Sequence, residues 1–232
     1  FIVGGIVGGA LLGGHHYHVG GFVYDGAKRG YIDRNGNIVI DSKKDKVWPM
    51  TSYGTVIKDS GKLCFVNRKG EIVIQPGDYD AGEMDKFNGL LALKDNSSDK
   101  WGVFDVSTGK QVVSFKYDSI SFAGTDRLVV VKDHVKNLIN MSTGKSLYSA
   151  QTEATIEPFN SDTVTWVHTG KDAYTIIDND GHVLFRDTNN SIEDVKSFNH
   201  GFSSVKSKGK WGVMNAKGEW VVQPTYEAVN IL

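Results

Sequence analysis

The sequence predicts an all-β protein, a six-bladed β-propeller over residues 20–232, from three observations. First, one hairpin pattern occurs six times, and its turn glycines lie 34 to 39 residues apart, a period typical of arrays of equivalent supersecondary units. Second, each repeat has room for four short strands, the content of one propeller blade. Third, the last repeat ends before a fourth strand, whereas an additional strand precedes the first repeat. Together they predict a closed ring.

Each repeat contains a short apolar strand that ends at Asp or Asn and is followed by a glycine. The Asp or Asn side chain can accept a hydrogen bond from the backbone two residues ahead, and the glycine supplies the positive φ that closes the turn. We therefore predict six hairpin turns rather than metal ligands, because one acceptor per hairpin does not converge on an ion. The turn residues are Asp33 and Gly36, Asn67 and Gly70, Asp105 and Gly109, Asn140 and Gly144, Asp178 and Gly181, and Asn215 and Gly218.

The ends of the chain carry the closure prediction. Residues 20–30 (GGFVYDGAKRG) resemble the strand that the last copy lacks before Leu232. Completing the last blade with this N-terminal strand would close the ring and cover sheet edges that otherwise favour aggregation. An open solenoid would instead need polar capping repeats, and the sequence has none. We therefore expect residues 20–26 to pair with the hairpin around Gly218.

Two copies share the phrase KWGV, at residues 100–103 and 210–213. The second copy, which reads GKWGV and then GEWVVQPTYEAV, resembles the WG-repeat family of bacterial proteins. Lys100–Gly102 and Lys210–Gly212 carry the Lys-Trp-Gly motif in full, and Arg29-Gly30 keeps only its glycine. The resemblance implies a bacterial array of β units, often secreted or associated with the cell envelope. It carries no catalytic residues over to this chain.

Composition excludes several function classes. The 26 basic and 27 acidic residues nearly cancel and are interspersed, so no electrostatic field favours nucleic acid or anionic lipid. The single cysteine, Cys64, excludes an internal disulfide and a CxxC metal site, which fits the cytosol as well as a bacterial surface. Its apolar neighbours predict a buried, inert thiol with a raised pKa.

Residues 1–19 are predicted to form a segment separate from the domain of residues 20–232. Residues 1–14 (FIVGGIVGGALLGG) are apolar and have the glycine spacing of closely packed membrane helices. As a helix they would reach about 21 Å, against a hydrocarbon core of about 30 Å. A truncated membrane anchor or export segment, an arm that docks on a neighbouring subunit, and a buried internal segment remain open. All three favour a location at or outside the cell membrane.

His15, His16 and His18 are the only local cluster of metal-ligating type. A closed metal site needs a fourth ligand and a rigid frame, whereas glycines flank this cluster. We therefore favour a polar junction at a membrane interface and leave a metal site open. No cofactor is expected.

Three tryptophans are the candidate contact residues. Trp101 and Trp211 recur at one repeat position, which favours a core contact in which the following glycine lets another backbone approach. A platform for sugar rings or Pro-rich peptides is the alternative. Trp48, in the segment KKDKVWPM, is the better candidate for an exposed contact.

The sequence thus predicts a non-catalytic module at the envelope or outside the cell that binds protein or glycan through loops of a rigid β ring. One alternative is a structural subunit of a fibre, assembled through residues 1–14. A second is a propeller-type hydrolase, in which pairs such as Asp78 with Asp80, or Glu83 with Asp85, would supply carboxylates. Nucleophile-elbow, zinc-protease and phosphate-loop motifs do not occur in the sequence, so the enzyme is the weakest of the three.

Overall fold

The computed structural model describes residues 21–25, 28–169 and 172–232. The predicted segment 1–19, with His15, His16 and His18, lies outside the described residues. Every regular element in the described ranges is a β-strand, and these ranges contain no helix that could cross a membrane.

The described strands form six antiparallel sheets, and each sheet is a meander of strands in chain order. The first sheet contains β1 (Gly21–Asp25), β2 (Lys28–Ile32) and β3 (Ile38–Lys44). The second contains β4 (Lys46–Val47), β5 (Thr55–Asp59), β6 (Lys62–Val66) and β7 (Ile72–Gly77). The third contains β8 (Tyr79–Asp85), β9 (Leu90–Asp95), β10 (Lys100–Asp105) and β11 (Gln111–Tyr117).

The remaining three sheets each have four strands. The fourth contains β12 (Ser119–Gly124), β13 (Arg127–Lys132), β14 (Val135–Asn140) and β15 (Ser146–Gln151). The fifth contains β16 (Thr155–Ile156), β17 (Val164–Thr169), β18 (Asp172–Asp178) and β19 (Val183–Arg186). The sixth contains β20 (Asp194–Val195), β21 (Phe202–Ser207), β22 (Lys210–Asn215) and β23 (Trp220–Tyr226).

The chain forms two compact units with their boundary between Lys116 and Tyr117. In the first unit, Tyr31 and Ile40 of the first sheet pack with Ile57 of the second, and Phe65 of the second packs with Leu93 of the third. Apolar burial between successive sheets therefore holds this unit together.

The second unit repeats this packing. Leu138 of the fourth sheet packs with Ile177 of the fifth, and Trp166 of the fifth packs with Val205 and Met214 of the sixth. The second strand of a sheet, such as β9 or β17, has four consecutive buried residues, because it is covered on both faces. The last strands are more exposed: β11 has two buried residues among seven and β23 has none, as expected of an outer strand.

The N-terminal strand does not lie where the sequence predicted. β1 pairs with β2 in the first sheet, with Phe22 opposite Tyr31 and Tyr24 opposite Arg29. The sixth sheet takes all four of its strands from residues 194–226. The predicted completion of the last blade by residues 20–26 is therefore wrong. Only two residues separate β1 from β2, and so short a connection joins neighbouring antiparallel strands.

The six predicted turns are confirmed. The side chain of the Asp or Asn accepts from the backbone N–H two residues ahead at 2.8–3.0 Å in five turns, and Asn140 accepts from Thr143, three residues ahead, at 2.9 Å. All six turn glycines have φ between 73° and 86°. Local hydrogen bonding and a positive-φ glycine thus close a turn in every sheet, with the glycine three residues after the Asp or Asn in four sheets and four residues after it in the third and fourth sheets.

Candidate functional site

The glycine of each Trp-Gly pair lies against the backbone of the next strand in its sheet. A Cβ on Gly102 would lie 2.5 Å from the Val113 carbonyl oxygen, and a Cβ on Gly212 would lie 2.4 Å from the Val222 carbonyl oxygen. The predicted approach of another backbone is therefore confirmed. The ladder between β22 and β23 is irregular here, since its register shifts between Trp211 and Val213.

The tryptophan of each pair belongs to a row of cross-strand partners on one face of its sheet. In the third sheet, Asp80, Lys94 and Trp101 lie opposite one another on β8, β9 and β10. We call these three residues the third-sheet Trp row. Directly opposed side chains in neighbouring strands lie about 5 Å apart at Cβ, so the carboxylate, the ammonium and the indole share one surface.

The sixth sheet has the same three residue types in its row, and here the row continues to the last strand. Asp194, Lys206 and Trp211 lie opposite one another on β20, β21 and β22, and Tyr226 follows on β23. We call these four residues the sixth-sheet Trp row. The Tyr226 side chain is 54% exposed. The row therefore combines two aromatic rings with one acid and one base.

Charged side chains surround the third-sheet Trp row. Lys94 Nζ lies 3.7 Å from a carboxylate oxygen of Asp80 and 3.2 Å from one of Asp99, and the hydrogen bond to Asp99 is the main reason that the pKa of Lys94 is raised. The Trp101 ring covers Gly82, where a Cβ would lie 2.5 Å from the ring. The indole thus lies flat across the sheet above a glycine.

A lysine takes the place of that glycine in the sixth sheet. Lys196 Nζ lies 5.3 Å from the centroid of a Trp211 ring, within cation–π distance. It also donates to the Val229 carbonyl oxygen at 3.3 Å and to Asn230 Oδ1 at 3.0 Å. Lys196 therefore joins the indole to the segment that follows β23.

An ion pair borders this row. Lys210 donates to the Glu227 carboxylate, and this hydrogen bond is the main cause of the lowered pKa of Glu227. Both side chains are substantially exposed, so the pair contributes little to stability. Because Lys210 directly precedes Trp211 on β22, its side chain points to the opposite face of the sheet.

The combination of Asp, Lys and Trp does not occur in the corresponding described rows of the first, second or fourth sheets. The second sheet has Lys46, Lys58 and Leu63, and the fourth has Ser119, Val131 and Lys136. In the first sheet, Arg29 lies opposite Tyr24 and Lys44. A stable sheet of this type therefore does not require the Trp row.

The predicted roles of the tryptophans need correction. Trp101 and Trp211 are half-buried rather than fully buried, and the Trp101 ring packs on Gly82 of its own sheet, so the contact is with a neighbouring strand and not with the fully buried core. Trp166 fills a core position instead: it is 1% exposed, stacks on Phe198, and donates its indole N–H to Ser203 Oγ at 2.9 Å. Cross-strand register, which the repeat alone does not reveal, decides between these positions.

Trp48 is also less exposed than predicted. It is half-buried and packs against the core cluster between the second and third sheets, with Lys46 Nζ 4.3 Å from its ring centroid. Its backbone N–H donates to Val56, and its carbonyl oxygen accepts from Thr55 Oγ1. The segment around Trp48 is therefore an ordered loop, not a free contact arm.

The remaining sequence candidates have structural partners. Cys64 is half-buried, and burial raises the pKa of its thiol as predicted. Asn96 Nδ2 donates to Asp78 at 3.0 Å and to Asp80 at 3.4 Å, and Asp85 accepts from the backbone of Phe87. Within the described residues, no group of three or more His, Cys, Asp or Glu side chains is arranged to hold a metal ion.

The hairpin turns of each compact unit are further candidate contact positions. Four of the six turns share one loop length, and the residue two positions after the Asp or Asn is of four types. These residues are Asn35, Lys69, Ser107, Ser142, Asp180 and Lys217. Rigid turns with different tips are the usual arrangement of a recognition surface.

The family comparison supports the repeat assignment. The model of the WG-containing repeat matches residues 30–57, 65–97, 101–133 and 211–230, and these stretches include both Trp-Gly pairs. No curated protein matches the sequence significantly.

Solved structures resemble the fold at low sequence identity. The structure titled as the eukaryotic initiation factor has a TM-score of 0.56 and 13% identity over 86% of this chain and 61% of that chain. BamB from Moraxella catarrhalis has a TM-score of 0.40 and 15% identity over 88% of this chain and 66% of that chain. Hsv2 from Kluyveromyces marxianus has a TM-score of 0.47 and 7% identity over 93% of this chain and 87% of that chain.

This chain therefore spans less than two thirds of the length of the first two structures. The likeness to the initiation factor concerns the fold alone. With six meander sheets in the described residues, it confirms the predicted all-β fold of propeller type. The matched repeats and the six sheets lead to one conclusion: the chain belongs to the family of proteins built from WG-containing repeats.

Proposed function

We propose that this chain is a non-catalytic binding module located at the cell envelope or outside the cell, where it contacts protein or glycan through exposed turns and sheet faces. A repeat-based binding or scaffold module is what the WG repeats and the propeller-type fold support. The ligand and the location are the further steps of the proposal.

The observation that carries the proposal is the ordered turn with a variable tip. In each turn the Asp or Asn side chain accepts a backbone hydrogen bond and a glycine adopts positive φ, so little conformational entropy is lost when a ligand binds. The tip side chains at Lys69 and Lys217 are exposed. A scaffold that fixes backbones and varies tips favours recognition over packing.

The envelope location rests on the sequence of residues 1–14 and on the WG-repeat resemblance. The apolar, glycine-spaced segment fits an anchor or export segment. Fractionation of cells that express the full-length protein tests this part of the proposal. Recovery with the membrane or in the medium supports it, and recovery only in the cytosol contradicts it.

Charge reversal at the turn tips tests the binding surface. The variant K69E/K217E changes equivalent tips of the second and sixth sheets without removing a turn hydrogen bond, because both residues use their backbone N–H there. We expect binding to isolated envelope material, measured by co-sedimentation with peptidoglycan and with membrane vesicles, to fall at least about tenfold.

The matched control reverses two charges at the opposite end of the same sheets. Lys62 and Lys208 are exposed and lie at or beside the turns that join β5 to β6 and β21 to β22. K62E/K208E has the same net charge as K69E/K217E and is expected to bind as the wild type does. Equal loss in both variants would show a charge effect without a defined surface, and no binding by the wild type would overturn the proposal.

A further inference from the structure

We propose that the third-sheet and sixth-sheet Trp rows are two separate saccharide-binding sites, each of which takes a pyranose ring of a glycan chain. This inference rests on the proposed function as a binding module and names the ligand class and the residues.

Recurrence is the first argument. Asp, Lys and Trp come from three different strands, and they occur together in the third and sixth sheets. The described rows of the first, second and fourth sheets form the same ladders with other residues. Because strand pairing does not demand the combination, we infer that its recurrence reflects a shared ligand.

The place of the two rows in the chain is the second argument. Each row lies in the last sheet of its compact unit. A hydroxyl-to-carbonyl hydrogen bond recurs at the equivalent position of three sheets: Thr55 Oγ1 donates to the Trp48 carbonyl oxygen at 2.7 Å, Thr165 Oγ1 to that of Glu157 at 2.9 Å, and Ser203 Oγ to that of Lys196 at 2.6 Å. Proline follows in the first two of these loops, at Pro49 and Pro158.

The shared contact indicates that the sheets are copies of one unit, and the Asp, Lys and Trp combination recurs in the last sheet of each compact unit. A site present in the third sheet therefore has its counterpart in the sixth. The expected stoichiometry is two saccharide segments per chain.

The chemistry of the row fits a sugar. A pyranose ring has an apolar C–H face and a rim of hydroxyls, and a half-buried indole offers a flat apolar surface to such a face. The neighbouring carboxylate accepts hydrogen bonds from hydroxyls, and the lysine ammonium donates to them. In the sixth sheet, exposed Tyr226 extends the aromatic surface by one strand.

A Pro-rich peptide fits the third-sheet Trp row less well. Polyproline recognition uses a groove lined by several aromatic side chains. The third-sheet row has one indole beside an ion pair of Lys94 and Asp80, which provides hydrogen-bonding groups for hydroxyls rather than a second apolar wall. The saccharide is therefore the occupant to which the proposal commits.

The test follows the indole N–H signals of the ¹⁵N-labelled full-length chain in NMR titrations with cellotetraose and with N-acetylchitotetraose. We expect at least one of these sugars to shift the signals of Trp101 and Trp211. The signal of Trp166 is the internal control, because its N–H is bonded to Ser203 Oγ in the core. Calorimetry with the same sugar should give two sites per chain.

Single substitutions separate the sites. W101A and W211A should each reduce the stoichiometry from two to one, and the double variant should not bind the sugar. D80N and D194N keep the side-chain shape on the sheet surface, so they remain usable where a tryptophan variant does not fold. Each should weaken its own site at least about fivefold.

The inference is overturned if neither sugar moves the signals of Trp101 and Trp211, or if decaproline moves them and the sugars do not. The proposed function is tested apart from it by the envelope co-sedimentation of K69E/K217E. Unmoved indole signals together with a loss of envelope binding in that variant would remove the saccharide sites and leave the binding module in place.

Discussion

The third and sixth sheets carry the same Trp-Gly phrase, but they support the tryptophan differently. Trp101 lies over Gly82, whereas Trp211 has the ammonium of Lys196 beside its ring. The glycine after each tryptophan has the same role in both sheets, since a carbonyl oxygen of the next strand lies within 2.5 Å of its would-be Cβ. The close approach of the next strand therefore requires the glycine of the motif in both sheets, whereas the residue that contacts the tryptophan ring differs between them.

The largest expected effect is a loss of folding stability when a turn glycine is replaced by alanine. A Cβ on Gly109 would lie 2.2 Å from the backbone oxygen of Val73, a Cβ on Gly218 would lie 2.1 Å from the Phe185 ring, and a Cβ on Gly144 would meet nothing within 4 Å. All three glycines have positive φ, so each alanine variant loses about 1 kcal/mol from the backbone alone.

We expect urea unfolding to give losses of about 4 kcal/mol for G109A, about 2 kcal/mol for G218A and about 1 kcal/mol for G144A. The order follows from the obstacle, because a strand backbone cannot move aside as a side-chain ring can. If G109A is no less stable than G144A, the close packing of the turn on the preceding sheet is refuted.

The second prediction concerns the central strand that pairs with each Trp-bearing strand. The third sheet buries Leu91, and the equivalent position in the sixth sheet is Ser203, which is fully buried and accepts the Trp166 N–H. L91A should cost about 3 kcal/mol by leaving a cavity. S203A should cost about 2 kcal/mol by leaving a buried donor unpaired.

A double-mutant cycle with W166F checks the reason for the second loss. Phe has no indole N–H, so S203A should cost clearly less in the W166F background than in the wild type. Equal costs in both backgrounds would show that the hydrogen bond is not what Ser203 contributes.

The third prediction tests the different contacts of the two indole rings. G82A places a Cβ 2.5 Å from the Trp101 ring, so the ring must move, at an expected cost of about 2 kcal/mol. K196A removes a cation–π contact near the surface, worth about 0.5 kcal/mol. Indole NMR signals should change at Trp101 in the first variant and at Trp211 in the second. A change at the other tryptophan in either variant contradicts the assigned contacts.

The smallest expected effect is a pH dependence of folding stability, which the third-sheet turn should have and the sixth-sheet turn should not. The third-sheet turn has Asp105, whose pKa is lowered chiefly by the hydrogen bond from Ser107, and the sixth-sheet turn has the non-titrating Asn215. A lowered folded pKa means that this stabilisation is present above the unfolded pKa of about 3.9 and is lost as the pH falls through the folded pKa.

The stability of D105N should therefore decrease less than that of the wild type between about pH 4 and pH 2, and the stability of N215D should decrease more. Unfolding curves at pH 7, 4 and 2 measure both. An unchanged acid dependence in D105N would show that the turn bond of Asp105 is not linked to folding.

The sequence predicted what local chemistry determines. The turn at Asp33 and Gly36 and its five counterparts could be read from residue types, because the side-chain hydrogen bond and positive φ are set within five residues. The raised pKa of the Cys64 thiol followed from its apolar neighbours. The number of sheets followed from the period of the turn glycines.

The sequence did not reveal what depends on register between strands. β1 resembles the strand that the last repeat appeared to lack, yet the two-residue connection to β2 determines its partner. The surface position of Trp101 and the core position of Trp166 depend on which residues lie opposite them. Lys94 and Asp80 are 14 residues apart in the sequence and meet only through the ladders of β8 and β9.

The central claim is that one antiparallel meander occurs six times in the described residues, with the strand before each Asp or Asn turn paired on both sides. Backbone hydrogen exchange of the full-length protein measures this most directly, because amides in doubly paired strands open least readily. We expect six protected regions, at β2, β5–β6, β9–β10, β13–β14, β17–β18 and β21–β22, each followed by faster exchange in the turn at Asp33, Asn67, Asp105, Asn140, Asp178 or Asn215. Protection confined to one of the two units, or without this period, would contradict the account.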